Sequence, residues 1–373
     1  MKKRTNTANW CEREKRWRIY VTKDGVKRVF YSSTPGRKGQ REANAKADAW
    51  LEDNIENQNI KVKDAIQLYL EDLRDRTSEG NWRPQESLIN NHIIPVIGNI
   101  KVSILNNQHL QGVINRAYKK SKLSKKTLQN LRACLTQFIK FCRKSNFTAL
   151  TPDCIDIPKG ASVSEKHILQ PDDLKTLFIC DNTLYYGTVQ YEPYVYAWRF
   201  EAITGLRPGE IIGLMWSDII GDTVHLQRSI NRQLETTRGK NDNARRSFKL
   251  FPLLQSILQK QMDYTHSNNL ESDYVFCNEC GDHITPGNYY KRWCKYRDFN
   301  GIAKISPYEL RHTFVSIVKA LPQGVIKNLV GHSKNMDTYG VYSHALVGDM
   351  DVAADMVSEI VQNLLGDGVG FDC

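Results

Sequence analysis

Arg207, Arg311, His332 and a tyrosine at 339 or 342 are the side chains of this sequence equipped to work together on a phosphodiester. A guanidinium fork matches two phosphate oxygens at once and keeps its charge at ordinary pH. A phenolic oxygen can attack phosphorus to leave a covalent intermediate, and a histidine can donate a hydrogen bond or pass a proton. Singly, each has an everyday role. An arginine near a helix start is commonly a solvated charge, and a histidine after a helix-ending glycine commonly serves the last carbonyls. The grouping argues otherwise, because all but Arg207 fall within residues 306–344.

That stretch divides into three short elements. Ser306-Pro307-Tyr308-Glu309 is a capping box with proline at the first helical position, so a helix starts there. Leu310, Phe314, Ile317, Val318 and Leu321 recur at helical spacing and are expected to face a core, with Arg311 off that stripe on the side of Tyr308. Val325 to Val330 is a second amphipathic run, stopped by Gly331 and followed at once by His332. The third element carries Tyr339 and Tyr342. Far upstream, Thr204-Gly205-Leu206-Arg207-Pro208-Gly209-Glu210-Ile211 is a tight turn into a helix, which puts Arg207 where backbone N–H groups favour an anion. Arg207 and Arg311 are expected to share one anion pocket.

TGLRPGEIIGLMWSDI, ELRHTF and LVGHS…VYSH closely resemble the motif blocks of the tyrosine recombinases, the phage-integrase family. The layout looks most like integrases of conjugative transposons and temperate phages of Gram-positive bacteria. The resemblance covers most of the chain in order and spacing. It implies a catalytic set of Arg207, Lys240, Tyr308, Arg311, His332 and Tyr342. The family's nucleophile stands nine or ten residues after the histidine; Tyr342 is ten after His332 and Tyr339 seven, so Tyr342 is chosen. Tyr308 occupies a position where the family usually has histidine. A phenol can donate a hydrogen bond there but does not take up a proton near neutral pH. His312 also matches a common family residue, in a supporting position.

Length and charge fit this reading. A chain of 373 residues exceeds one ordinary core and predicts two or three domains. The net charge of +11 favours a polyanionic partner. No apolar run is long enough to span a bilayer, and the start carries no signal-peptide pattern. Nine irregularly spaced cysteines then read as reduced thiols in a cytoplasm.

The predicted fold is multidomain α+β. It comprises a small N-terminal β-sheet plus helix module (residues 1–58), a helical core-binding domain (59–158) and a mainly helical catalytic domain with a small β-sheet (163–373). In the first, Trp17–Thr22 and Lys27–Tyr31 are β-type runs joined across Asp24-Gly25, a hairpin signal, and a helix is expected over Glu42–Ile55. Fourteen Lys and Arg against eight Asp and Glu make this module basic. The resemblance makes it an arm-site DNA-binding module, with Arg18, Lys23, Lys27 and Arg28 as candidate contacts. The second segment is expected to be helical over Val62–Leu73, Asn91–Ile100, Asn107–Ala117 and Ser124–Cys142. Lys119, Lys120, Lys122, Lys125 and Lys126 crowd its last junction as candidate backbone contacts. Ile157–Ser162 reads as a linker.

In the third, Thr223–Leu226 is a strand, and Gly239 to Phe248 resembles the family hairpin that carries Lys240 and then a basic pair, Arg245 and Arg246, candidate DNA contacts. Cys277, Cys280, His283 and Cys294 match no standard zinc spacing, and Val275–Asn278 reads more simply as a strand entering a turn. Val352, Met356, Ile360 and Leu364 form an amphipathic strip near the C-terminus. The strip closes this domain's own core or, as in the family, docks on a neighbouring protomer.

The resemblance implies a site-specific DNA recombinase that integrates or transposes a mobile element. It would act on double-stranded attachment sites as a tetramer, with directionality or DNA-bending proteins as possible accessories. Neither metal nor other cofactor is implied, since arginines and a lysine supply the charge and the covalent link conserves the bond. The protein would work in the cytoplasm, on the nucleoid when bound. The rival readings are a chromosome-dimer-resolving recombinase, which the extra basic module argues against, a type IB topoisomerase, and a non-catalytic DNA-binding regulator or architectural protein.

Overall fold

The computed structural model describes residues 4–23, 26–52, 60–153, 155–163, 165–237, 245–331 and 348–366. The chain divides into two compact units, Met1–Ser164 and Glu165–Cys373. Among the described residues no helix is long and apolar enough to cross a membrane.

Alternation along β2, with Trp17, Ile19 and Val21 inward, builds the N-terminal sheet. Strands β1 (Asn9–Cys11), β2 (Arg16–Lys23) and β3 (Val26–Ser32) run antiparallel in that order, and helix α1 (Gly36–Glu52) covers one face. Ile19 and Val21 meet Ala43, Ala47 and Leu51 of α1 there. The other face carries Arg18, Tyr20, Lys27 and Tyr31, by the register that pairs Arg18 with Tyr31 and Thr22 with Lys27. Arg18 and Lys27 each lie 4.9 Å from the Tyr20 ring. Arg28 pairs with Val21 and so has the opposite parity, 5.6 Å from Trp50 of α1. Of the four candidate contacts, Arg18 and Lys27 share the open face and Arg28 does not. The side chain of Lys23 lies outside the described residues. α1 starts six residues before the expected Glu42, because Arg37, Lys38, Gln40 and Arg41 are good helix formers back to Gly36.

A second, separate core is made by helices. They are α2 (Val62–Arg76), α3 (Glu79–Leu88), a π turn over Ile89–Ile93 leading into α4 (Ile94–Ile97), α5 (Asn107–Ser121) and α6 (Lys125–Lys144). The expected helix from Asn91 thus begins twelve residues earlier. Gly80, Asn81 and Pro84 read as breakers, yet the apolar contacts of Trp82 and Leu88 hold the rod together across Pro84. Ser124 caps α6 by accepting the Thr127 N–H. Lys122 ends α5 in a left-handed conformation (φ 46°), and all five clustered lysines are exposed around it.

The second unit is organised about α8 (Val195–Thr204), whose ten residues are all buried, as a helix lying inside a core requires. Trp198 at its middle packs against Trp293 (5.3 Å), Tyr296 (5.1 Å) and Tyr289 (6.0 Å), all on α11 (Pro286–Phe299). Around it lie α7 (Pro171–Ile179), the hairpin β4 (Asn182–Tyr185) and β5 (Thr188–Tyr191), α9 (Pro208–Ile212) and α10 (Pro252–Ser267). A three-stranded sheet has the order β10-β7-β6, from β6 (Ile219–Ile220), β7 (Thr223–Leu226) and β10 (Arg246–Lys249). A two-stranded ribbon joins β8 (Ser229–Ile230) to β9 (Thr236–Thr237). Last come α12 (Pro307–Ile317), α13 (Gln323–Val330) and α14 (Asp349–Leu365).

Two local readings need correction. Val275–Asn278 forms no strand among the described residues; Val275 and Phe276 are buried, and an isolated bridge pairs Cys277 with His283. On α14 the buried line is Ala353, Val357, Val361 and Leu365, one position on from the expected strip. Val352 and Met356 stay exposed, with Ile360 and Leu364 at the boundary. Val357, Val361 and Leu365 join the main core of this unit, and Lys249 of β10 meets Asp351 at the start of α14 (3.0 Å).

Candidate active site

Arg207 is placed by three local features. α8 ends at Gly205, whose φ of 64° suits a residue without a Cβ, and a Cβ there would meet the Phe314 ring at 2.3 Å. Pro208 then opens α9 with Arg207 in extended conformation before it. Gly209 lets that turn rest on β8, since a Cβ would lie 2.5 Å from Ser229 Oγ and 2.6 Å from the Ile230 carbonyl.

Arg311 arrives from α12, started by the expected box: Glu309 accepts the Ser306 N–H at 2.8 Å. It is not on the open side of that helix. It is 3% exposed, and its Nη1 donates to the Gly205 carbonyl at 2.7 Å while Nη2 donates to the Val330 carbonyl. Arg207 Nη2 donates to the neighbouring Gly331 carbonyl at 3.4 Å. The two arginines, distant in sequence, therefore converge on the end of α13, where Gly331 turns left-handed (φ 64°).

Glu210 binds the group together. It is 2% exposed and accepts the Arg207 N–H (3.0 Å) and Nη1 (2.7 Å) and both Arg246 Nη groups (3.2 and 3.0 Å). Arg246 also donates from Nε to the Leu329 carbonyl at 2.8 Å. Arg246, expected at a DNA-facing surface, is instead a buried strut between β10, α9 and α13, because Glu210 offers it a desolvated carboxylate. Arg245 beside it is exposed. Burial would raise the Glu210 carboxyl, but Arg246 and Arg207 hold it below the usual carboxylate range. Burial and then the Arg207 charge pull Arg311 down to about 10, so it stays protonated near neutral pH.

Tyr308 is 45% exposed at the rim of α12, its ring 5.4 Å from His312. Burial, then Lys166, lowers the His312 imidazole. Lys240, His332 and both candidate nucleophiles, Tyr339 and Tyr342, lie outside the described residues. No group of three or more His, Cys, Asp or Glu side chains that could hold a metal occurs among the described residues.

Two carboxylates were missed as candidates. Glu210 stands three residues after Arg207, the reach-back spacing of a capping box, and this was the available signal. Glu201 interrupts the apolar run of α8. It is fully buried, and its Oε2 accepts the Tyr289 Oη–H at 2.6 Å. Burial holds its carboxyl well above the usual range, against the opposing pull of Tyr289 and Arg311. The native state thus keeps a proton that the unfolded chain releases near pH 4.3. Stability should fall as pH rises from there toward the folded value. Glu201→Gln removes that slope. Urea midpoints should show the variant gaining on the parent between pH 5 and pH 8; equal gaps at the two pH values would refute it.

Residues 168–348 match the domain described as phage integrase family, and residues 61–118 match the phage integrase N-terminal SAM-like domain. A protein named tyrosine recombinase XerC-like, from Caldanaerobacter subterraneus subsp. tengcongensis, is 24% identical over 386 aligned residues, 90% of this chain and 92% of its own. The fold is similar to that of the Tn1549 transposon integrase solved with transposon right end DNA, with a TM-score of 0.64 at 16% identity, covering 80% of this chain and 100% of that one. It is also similar to the lambda integrase tetramer bound to a Holliday junction, with a TM-score of 0.56 at 13% identity, covering 88% and 92%. With the two integrase domains matched over residues 61–118 and 168–348, the latter spanning all three motif blocks, the chain belongs to the tyrosine recombinase, or phage integrase, family.

Proposed function

We infer that this protein is a site-specific DNA recombinase that cuts and rejoins attachment sites of a mobile element through a 3′-phosphotyrosyl intermediate. One observation carries the reading. Arg207 and Arg246 both pair with the single carboxylate of Glu210, and the buried Arg311 meets Arg207 at the end of α13; such a surplus of positive charge calls for an anion. Arg311 commits two N–H groups to carbonyls among the described residues, and the rest of its five-donor fork is suited to phosphate oxygens.

In the mechanism we assign, Arg207 and Arg311 neutralise the non-bridging oxygens as charge builds in the transition state. Tyr342 attacks phosphorus, which breaks the bond to the 5′-oxygen; Lys240 protonates that oxygen and His332 assists proton transfer from the phenol. Tyr308 lines the phosphate site. A second DNA 5′-hydroxyl reverses the step and frees the tyrosine, so no external energy is spent. Glu210 and Arg246 position Arg207 and do not touch the substrate. The N-terminal sheet, through Arg18, Lys27 and Tyr20, is assigned to arm sites, and the clustered lysines of α5 and α6 to the DNA backbone.

A core-site duplex nicked near the cleavage position tests the chemistry, because the short strand diffuses away and traps the adduct. Covalent protein on a denaturing gel is the expected result, and none after long incubation would overturn it. A two-site exchange assay then separates recombination from simple relaxation of supercoils.

We assign the active form as a tetramer, with α14 exchanged between protomers. Met350, Val352 and Met356, exposed on a helix that already buries its other side, support this. Removing residues 352–373 should abolish four-protomer assemblies in sedimentation of the DNA complex while changing affinity for a single site by only a few-fold. Intact assemblies would refute the exchange.

A further inference from the structure

The β4–β5 hairpin presents a residue that the fold alone does not explain. Its two-residue turn is Tyr186-Gly187, with φ of 48° and 81°. Such turns favour Asn, Asp or Gly at both central positions, because a Cβ is strained there. A tyrosine occupies the first, and it is 89% exposed. Strain and exposure together point to a contact made outside this chain.

The surroundings state its chemistry. Tyr185 meets Tyr186 edge-on at 4.5 Å. From α11, Lys295 Nζ stands 4.2 Å from the Tyr185 ring and 5.5 Å from that of Tyr186. Arg292 lies 5.1 Å from Tyr185 but is neutralised by Glu192 (2.9 Å) and Glu279 (2.6 Å). Lys291 and Lys295 are exposed and in no ion pair among the described residues, and Tyr290 beside them is 51% exposed. A recess of about 350 Å³ opens between the hairpin and the helix. Phenolic rings interleaved with two uncompensated ammonium groups suit a sugar–phosphate backbone, which offers a charge to each lysine and an apolar sugar to each ring. Along the chain, this hairpin leads into α8, whose far end carries Gly205 two residues before Arg207. Ten helical residues span about 15 Å.

We propose that the β4–β5 hairpin and the exposed lysines of α11 form a second, sequence-independent grip on the DNA duplex, seating the backbone of the flanking duplex against Tyr186 and Tyr290. This rests on the recombinase reading above. It adds a surface outside the anion pocket that anchors flanking duplex during strand exchange.

Tyr186→Gly tests it with opposite signs on two readouts. Glycine suits the turn better, so the thermal midpoint holds or rises. Affinity of the full chain for a core-site duplex with long flanks falls on the order of three- to tenfold. A duplex cut short at the cleavage position removes the difference. Lys291→Ala with Lys295→Ala should flatten the dependence of log affinity on log salt by about 2, the loss of two phosphate contacts. Parental affinity and salt slope in both variants would overturn the proposal. So would unchanged single-site affinity with altered sedimentation, which makes the patch a contact between protomers. If the unaltered chain forms no adduct on the nicked duplex, the recombinase reading fails first. A normal adduct beside silent variants sinks this proposal alone.

Discussion

Tyr342→Phe protein should bind its core site within about threefold of the parent, the effect of a single hydrogen bond, and form no covalent adduct. The two outcomes separate because the phenolic oxygen has different duties in the two steps. In binding it is one polar atom among many contacts to the phosphate backbone, whose summed charge sets affinity. In the cleavage step assigned to it, it is the atom that bonds to phosphorus, so its removal leaves nothing to form the link. Water could hydrolyse the bond at a low rate, but this would release a free end and not a protein-linked one. Adduct on the nicked duplex should drop by at least about four orders of magnitude, to the limit of detection. Tyr339→Phe is the companion measurement. Seven residues after His332 it stands outside the spacing of the family's nucleophile, so its adduct should match the parent in amount. Adduct retained in Tyr342→Phe and lost in Tyr339→Phe would transfer the role to Tyr339.

The parts of this site legible in the sequence are those governed by local rules. Ser306 and Glu309 mark the start of α12 because the Glu309 carboxylate reaches back to accept the Ser306 N–H and Oγ–H. Gly331 marks the end of α13 because the left-handed turn there is costly with a Cβ. What stayed hidden depends on groups far away in the chain. Arg311 read as lying off the apolar face, yet it is buried, since carbonyls of residues 205 and 330 arrive to receive it. Periodicity sorts residues by polarity and does not say where an acceptor will appear. Arg246 is drawn inward for the same reason, its partner Glu210 being 36 residues earlier. On α14 the apolar band is wider than one line, so which of two neighbouring faces is buried depends on the rest of the core that receives it. The strained turn at Tyr186 carries no local signal either, because Tyr-Gly is not among the dipeptides that announce a tight hairpin.

Arg311→Lys and Arg311→Ala should both lower the single-turnover cleavage rate by about 10³, with different effects on the fold. Arginine fits here because one planar fork reaches the Gly205 and Val330 carbonyls with two of its five N–H groups, and the phosphate role assigned to it needs the others. A lysine ammonium is a single centre. It can satisfy one of those carbonyls, or a phosphate oxygen, but does not span the group, and burial beside Arg207 drives it toward the neutral form. Alanine leaves two buried carbonyls without their donor, each costing about 1–3 kcal/mol, so its melting temperature should fall further than that of the lysine variant. Cleavage must therefore be timed well below both midpoints, with the fraction folded measured in the same samples. Under those conditions the rate loss belongs to the transition state and not to unfolding. DNA affinity supplies the internal control: both variants should bind within about tenfold of the parent, since one contact among many phosphates is lost. A lysine variant that cleaves at the parental rate would mean that charge alone suffices at this position. The shared grip on the end of α13 would then be a feature of folding, with no part in the chemistry.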